Sequence, residues 1–142
     1  VEKGAYAQSL DEIQARGGSV KLLWQHDPSQ PIGVWDEVYE DDVGLFVRGR
    51  LLDGVARADE AAALVKANAI DGLSIGYRTR KARRSNEGHR ILTDLELWEV
   101  SLVTFPMLPE ARVAAKDDDA EGYFLQDLAQ AFDEARSILN SA

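Results

Sequence analysis

The chain has 142 residues, no cysteine, and 16 basic against 25 acidic residues, a formal net charge of −9. That length suits one domain able to bury most of its apolar surface unaided, and the lack of cysteine excludes disulfide frameworks, thiol catalysis and cysteine-ligated zinc while favouring a reducing compartment. The acidic balance argues against gripping nucleic acid as the main task; no apolar run approaches the ~18 residues of a membrane span, and nothing at the start has the pattern of a signal peptide.

Val1-Glu2-Lys3-Gly4 reads as the tail of a strand entering a helix, so an upstream strand is expected, removed by self-trimming or by choice of boundaries. Ala5 to Arg16 has helical spacing, with Tyr6, Leu10 and Ile13 on one side and Gly17-Gly18 where helices commonly stop. Val20 to His26 alternates, which sends Val20, Leu22, Trp24 and His26 to one face of a strand. Asp27 to Pro31 contains two prolines and predicts a turn or loop, because neither can donate to a central ladder.

Ile32 to Tyr39 and Leu45 to Leu52 are β-rich runs joined by the acidic turn Glu40 to Gly44, the pattern of a hairpin. A helix follows over Ala58 to Ala69, with Asp59 and Glu60 at the positive end of its dipole, and either Ala62, Val65 and Ala69 or Leu64 and Ala61 as its packing face. Gly72 to Gly76 then opens an alternating segment to Arg84, and a turn at Ser85 to Gly88 returns the chain as a long strand from His89 to Thr104. Arg78, Arg80, Lys81, Arg83 and Arg84 crowd the first arm of this second hairpin; a solvated edge guarded by charge is the ordinary reading, and contact with an acidic scaffold or nucleic acid is the alternative.

Residues 116–122 form an acidic linker, and 123–142 have the spacing of an amphipathic helix, with Phe124, Leu128, Ala131, Phe132, Ala135, Ile138 and Leu139 on one side. That helix either packs on its own domain or serves as an oligomer or partner contact. Together the elements describe an α+β domain with a mostly antiparallel sheet or small barrel and peripheral helices.

The chemistry converges on Ser74. Gly72-Leu73-Ser74-Ile75-Gly76 matches the G-x-S-x-G string of α/β-hydrolases, but there a strand leads into the serine and a helix leaves it, whereas here helix precedes strand. The flanking glycines are expected to permit a sharp turn and close approach of a substrate chain. A serine at a strand start is usually structural, so the weight falls on its company. His26 is predicted inward at a strand end. Glu99 falls inward on the long strand, in phase with Leu95, Leu97 and Ser101, whereas Asp94 and Glu96 face solvent; a bulge between Asp94 and Trp98 would reverse that phase and promote Glu96. A buried carboxylate needs a partner, and an imidazole suits it. Ser74 as nucleophile, His26 as general base and Glu99 as orienting acid make a coherent trio, with Asp27 and Asp71 as substitutes for the acid. Two histidines and no H-E-x-x-H string offer no metal site, no phosphate-cradling loop is present, and no cofactor is expected.

Leu22 to Asp27, Pro31-Ile32-Gly33, Gly72 to Tyr77 and Glu99 to Met107, in this order, resemble the prohead maturation proteases of tailed bacteriophages, a family related in fold to the herpesvirus assemblins. The resemblance runs from about Val1 to Val113, with residues 1–115 as the protease domain. It implies a small β-barrel with peripheral helices, Ser74 as nucleophile, His26 as base and Glu99 as third member. It further implies cleavage of major capsid or scaffold protein, and of the protease itself, within the assembling procapsid in the host cytoplasm. A homo-oligomer through the C-terminal helix is expected, with neither membrane nor nucleic acid as partner. Two features that the resemblance leads one to expect have no counterpart in the sequence: a first barrel strand before Val1, and a pair of arginines after Glu99 like those that help bind the oxyanion in the herpesvirus relatives.

Overall fold

A computed structural model describes residues 1–115 and 122–124. The elements are α1 (Ala7–Ala15), β1 (Lys21–Trp24), β2 (Asp27–Glu40), β3 (Leu45–Leu51), α2 (Ala56–Lys66), β4 (Gly72–Arg84) and β5 (Arg90–Val103), followed by the short strands β6 (Ala114–Ala115) and β7 (Gly122–Phe124). Tyr123 and Phe124, expected to open the C-terminal helix, instead pair with β3. The rest of that helix, and the linker from Lys116 to Glu121, lie outside the described residues.

The sheet is mixed. Its order is β4-β5-β1-β2-β3-β7-β6; β1 runs parallel to β5, and every other neighbouring pair is antiparallel. β5 is the interior strand that positions the site. Along 99–102 it pairs with β1. Nearer its start the N-terminal segment takes that flank, through Glu2 N–H to the Leu92 carbonyl (2.8 Å) and Leu95 N–H to the Ala5 carbonyl (3.1 Å).

The barrel expected from the sequence is not formed as a closed ladder. After β5 the chain doubles back beside the start of β4, where Gly72 bridges Arg112, Leu73 N–H reaches the Ala111 carbonyl (3.0 Å) and Val113 N–H reaches the Asp71 carbonyl (2.8 Å). An Arg112–Asp71 ion pair at 2.7 Å pins the same crossing. One isolated bridge satisfies the polar backbone there but is too short to propagate as a strand pair, so the sheet stays open.

Burial follows from the two periods in the sequence. Tyr6 at the N-cap of α1 and Ile13 on it are buried against Leu45, Val47, Leu73, Ile75, Leu95, Leu97 and Val100 of the sheet, and the buried Ser9 hydroxyl accepts the Leu97 N–H at 2.9 Å. On α2 the buried stripe is Ala58, Ala61 and Val65, against Leu22, Ile32, Leu51 and Leu102. This mixes the two faces proposed from spacing: small alanines let the helix lie close to the sheet, and Leu64 is left exposed. The basic arm of the second hairpin is largely neutralised within the chain, by Arg78–Glu96 (2.6 Å), Arg80–Glu12 (2.6 Å) and Arg83–Glu2 (2.7 Å), in keeping with a solvated edge.

Two outcomes follow. Leu95 is fully buried in the larger cluster, so Leu95→Ala should cost about 2–5 kcal/mol in urea unfolding. The Arg80 guanidinium, with help from Gln8, holds the Glu12 carboxyl below its usual range. The pair's stabilisation is therefore complete above the ordinary carboxylate pKa and lost as pH falls through the lowered folded value. The melting-temperature difference between wild type and Glu12→Gln should be largest at neutral pH and vanish in acid.

Candidate active site

His26 is placed by a turn and not by strand alternation. β1 and β2 close at Trp24 and Asp27, which leaves Gln25 and His26 as a two-residue hairpin loop with φ of 52° and 61°. Both positions of such a turn take the left-handed region, at about 1–2 kcal/mol for a residue with a Cβ. Hydrogen bonds offset that cost. Gln25 N–H donates to the Leu102 carbonyl (2.9 Å), the Gln25 amide bonds Thr104 through both its oxygen (3.2 Å) and its nitrogen (2.6 Å), and His26 N–H donates to Ser101 Oγ (3.2 Å). The inward His26 expected from alternation is therefore corrected: the turn resets the phase, and the imidazole is 41% exposed. The loop expected over Asp27 to Pro31 is corrected too, since β2 begins at Asp27. The register jumps from Trp24–Asp27 to Leu23–Pro31, which leaves Pro28 without a β1 partner and sets Pro31 at the irregularity itself, opposite Leu23.

Glu99 reaches the site through a β-bulge. In the β4–β5 ladder Gly76 opposes Glu99 and Tyr77 opposes Leu97, so Trp98 is the extra residue. Leu95 and Leu97 before it, and Val100 after it, all lie in the core cluster. The bulge thus shifts the phase by one and turns Glu99 to the opposite face, beside Ser101. A bulge was expected to replace Glu99 by Glu96. The reverse holds: Glu96 pairs with Arg78 at 2.6 Å, and Glu99, only 8% exposed, accepts from His26 Nδ1 at 2.5 Å and from Ser101 Oγ at 2.5 Å. The substitute acids are engaged elsewhere. Asp27 accepts from the Ser29 hydroxyl (2.6 Å) and Ser29 N–H (2.9 Å), which hold its carboxyl below the usual range, and Asp71 pairs with Arg112.

Ser74 is the third residue of β4 and lies directly opposite Ser101, on the face away from Leu73 and Ile75. It is 5% exposed. Its side chain makes no hydrogen bond to His26 among the described residues; the two are joined through Ser101, opposite one and bonded to the main chain of the other. Neither flanking glycine adopts a positive φ, which corrects the expectation of a sharp turn. They matter for the atom they lack. A Cβ on Gly76 would stand 2.1 Å from Glu99 Oε1, and one on Gly72 would stand 2.6 Å from Pro106 Cδ.

A carboxylate can only accept, so Nδ1 of a neutral His26 carries the proton toward Glu99, and Nε2 is left with a free lone pair. That is the tautomer of a general base. The sequence reading missed the parts played by Gly76 and Ser101. The signal for Ser101 was its period-2 spacing from Glu99, and for Gly76 only the pairing of two distant strands supplies one. Gly76→Ala should expel the Glu99 carboxylate from its place, abolish the low-field Nδ1 proton resonance of His26 in NMR spectra, and cost about 1–3 kcal/mol as overpacking.

Residues 1–124 match a family model described as caudovirus prohead serine protease. Over 115 residues the chain is 34% identical to the prohead protease of Enterobacteria phage HK97, covering 79% of this chain and 50% of that protein. Over 120 residues it is 32% identical to the capsid polyprotein of Pseudomonas phage PAJU2, covering 74% of this chain and 17% of that one. The chain thus spans about half the length of the first relative and a smaller share of the second. No solved structure matches it significantly. With all of its described residues inside the family model, the chain belongs to the caudovirus prohead serine protease family.

Proposed function

We propose that this chain is the catalytic part of a serine endopeptidase that cleaves capsid precursor or scaffold protein, and its own termini, during procapsid maturation. Ser74 attacks the scissile carbonyl carbon, His26 Nε2 accepts the hydroxyl proton, and an acyl-enzyme forms as His26 returns that proton to the leaving amine. Water then repeats the exchange on the ester. Glu99 keeps Nδ1 protonated and stabilises the imidazolium that forms in each half. The observation that carries this reading is the His26–Glu99 contact, on the sheet face that also bears Ser74. Membership in the family supports the reaction class. The presence of a similar stretch in a protein named capsid polyprotein supports capsid protein as the substrate class.

Activity that must await assembly is consistent with the apo geometry, in which catalytic hydrogen bonds are often incomplete until substrate binds. Homo-oligomer formation through residues 123–142 is the proposed means of that control, and truncation at Lys116 would then change both oligomeric state and processing. If neither changes, that part is wrong.

Co-expression with the capsid precursor tests the chemistry. Ser74→Ala and His26→Ala should each abolish conversion, with losses on the order of 10⁶-fold for such groups, and Glu99→Gln should cost less, on the order of 10⁴-fold. Wild-type processing by Ser74→Ala or His26→Ala would sink the protease reading. Full processing by Glu99→Gln together with none by Glu96→Gln would reassign the acid.

A further inference from the structure

Ser101 is fully buried at the centre of the site and belongs to none of the three catalytic roles. Its hydroxyl has one proton to give, and gives it to Glu99 Oε2 at 2.5 Å. The same oxygen accepts the His26 main-chain N–H at 3.2 Å. The two carboxylate oxygens of Glu99 are thus divided, Oε2 to Ser101 and Oε1 to His26 Nδ1. Across the ladder Ser101 stands directly opposite Ser74, and directly opposed residues on one face have Cβ atoms about 4.5–5.5 Å apart.

We infer that Ser101 is a positioning residue, a single hydroxyl that fixes the His26 turn and the Glu99 carboxylate in register with Ser74. The inference rests on the trio assigned above. Three observations favour this role over simple core filling. The residue is polar where its neighbours Val100, Leu102 and Val103 are apolar, although all four are buried to nearly the same degree. Its contacts are to two different parts of the site and not to its own turn. The His26 N–H it satisfies lies in a left-handed turn and has no strand partner to replace the bond, so without the hydroxyl the turn keeps its bonds at Gln25 but loses its anchor at His26, and one carboxylate oxygen loses its donor.

The consequence is kinetic. Small misplacements of a general base cost about 100-fold in rate without affecting how substrate binds. Ser101→Thr and Ser101→Val make the informative pair, because both add the same branched shape to the strand and only threonine keeps the hydroxyl. In the full chain co-expressed with the capsid precursor, Ser101→Thr should process within about 3-fold of wild type and Ser101→Val about 10- to 100-fold more slowly. In a Ser74→Ala background, which prevents self-cleavage, the low-field His26 Nδ1 proton resonance should persist with threonine and disappear with valine while the core methyl resonances stay dispersed. Equal processing by the two variants, or a resonance unchanged in Ser101→Val, overturns the role. If Ser101→Val fails to fold, Ser101→Ala read by the same resonance decides the matter, retention overturning the role and loss supporting it. Failure of the underlying protease reading is told apart by the controls: wild-type processing by Ser74→Ala or His26→Ala removes the trio itself, whereas dead controls with an active Ser101→Val remove only the positioning role.

Discussion

A carboxylate held almost out of water is the constraint from which the rest of this structure can be understood. Leaving Glu99 ionised and unpaired at 8% exposure would cost several kcal/mol, and each neighbour of Glu99 is arranged to avoid that. The imidazole of His26 takes one oxygen and the hydroxyl of Ser101 takes the other. Gly76 leaves the space in which the carboxylate sits. The bulge at Trp98 supplies the half-turn of phase that sends Glu99 away from the apolar cluster beneath α1. Remove any one of these and the charge has either no partner or no room.

The same constraint explains why the site forms where it does. β5 lies inside the sheet, flanked by β4 along its whole length and by β1 where the site lies. Three neighbouring strands therefore bring four residues to a common patch: Ser74 from β4, Glu99 and Ser101 from β5, and His26 from the turn that follows β1. Elements that are adjacent in the sheet hold these groups by backbone ladders, whose register cannot drift without moving buried side chains to the wrong face. The strained turn at Gln25 and His26 lies outside the ladders, and it is fixed at both residues by bonds to β5 or the chain just beyond it.

The glycine-flanked serine illustrates how a familiar string takes its meaning from context. In α/β-hydrolases G-x-S-x-G marks a tight strand-to-helix turn. Here the same five residues are extended, inside a strand, and both glycines are required by what packs against them: the Glu99 carboxylate at Gly76, and Pro106 at Gly72. Pro106 lies where the chain leaves β5 and turns back to bridge β4, so the second glycine belongs to the crossing at Arg112 that ties the two ends of the sheet together.

Much of this was legible in the chain itself, because periodicity and turn chemistry are local. The two hairpins, the helices before β1 and β4, and the burial of Leu95 and Leu97 need only spacing and residue type, and the same signals with a family resemblance make Ser74, His26 and Glu99 candidates. What the sequence could not decide was phase and closure. Alternation predicts an inward His26, but a two-residue turn interrupts it, and it predicts Glu99 in phase with Leu95 and Leu97, but a bulge puts Glu99 out of phase; the two changes of phase bring both residues together. Two prolines make Asp27 to Pro31 read as a loop, and only the register break against β1 shows how a strand contains them, Pro28 within the unpaired stretch and Pro31 at its edge opposite Leu23. The elements leave sheet or barrel open and the family resemblance implies a barrel, but whether a sheet closes depends on how far its edges can pair, and among the described residues β4 meets the returning chain through one isolated bridge. Residue identity is a property of the chain. Which face a residue meets, and what space a missing Cβ leaves, are properties of strands paired across tens of residues, and these only the tertiary structure decides.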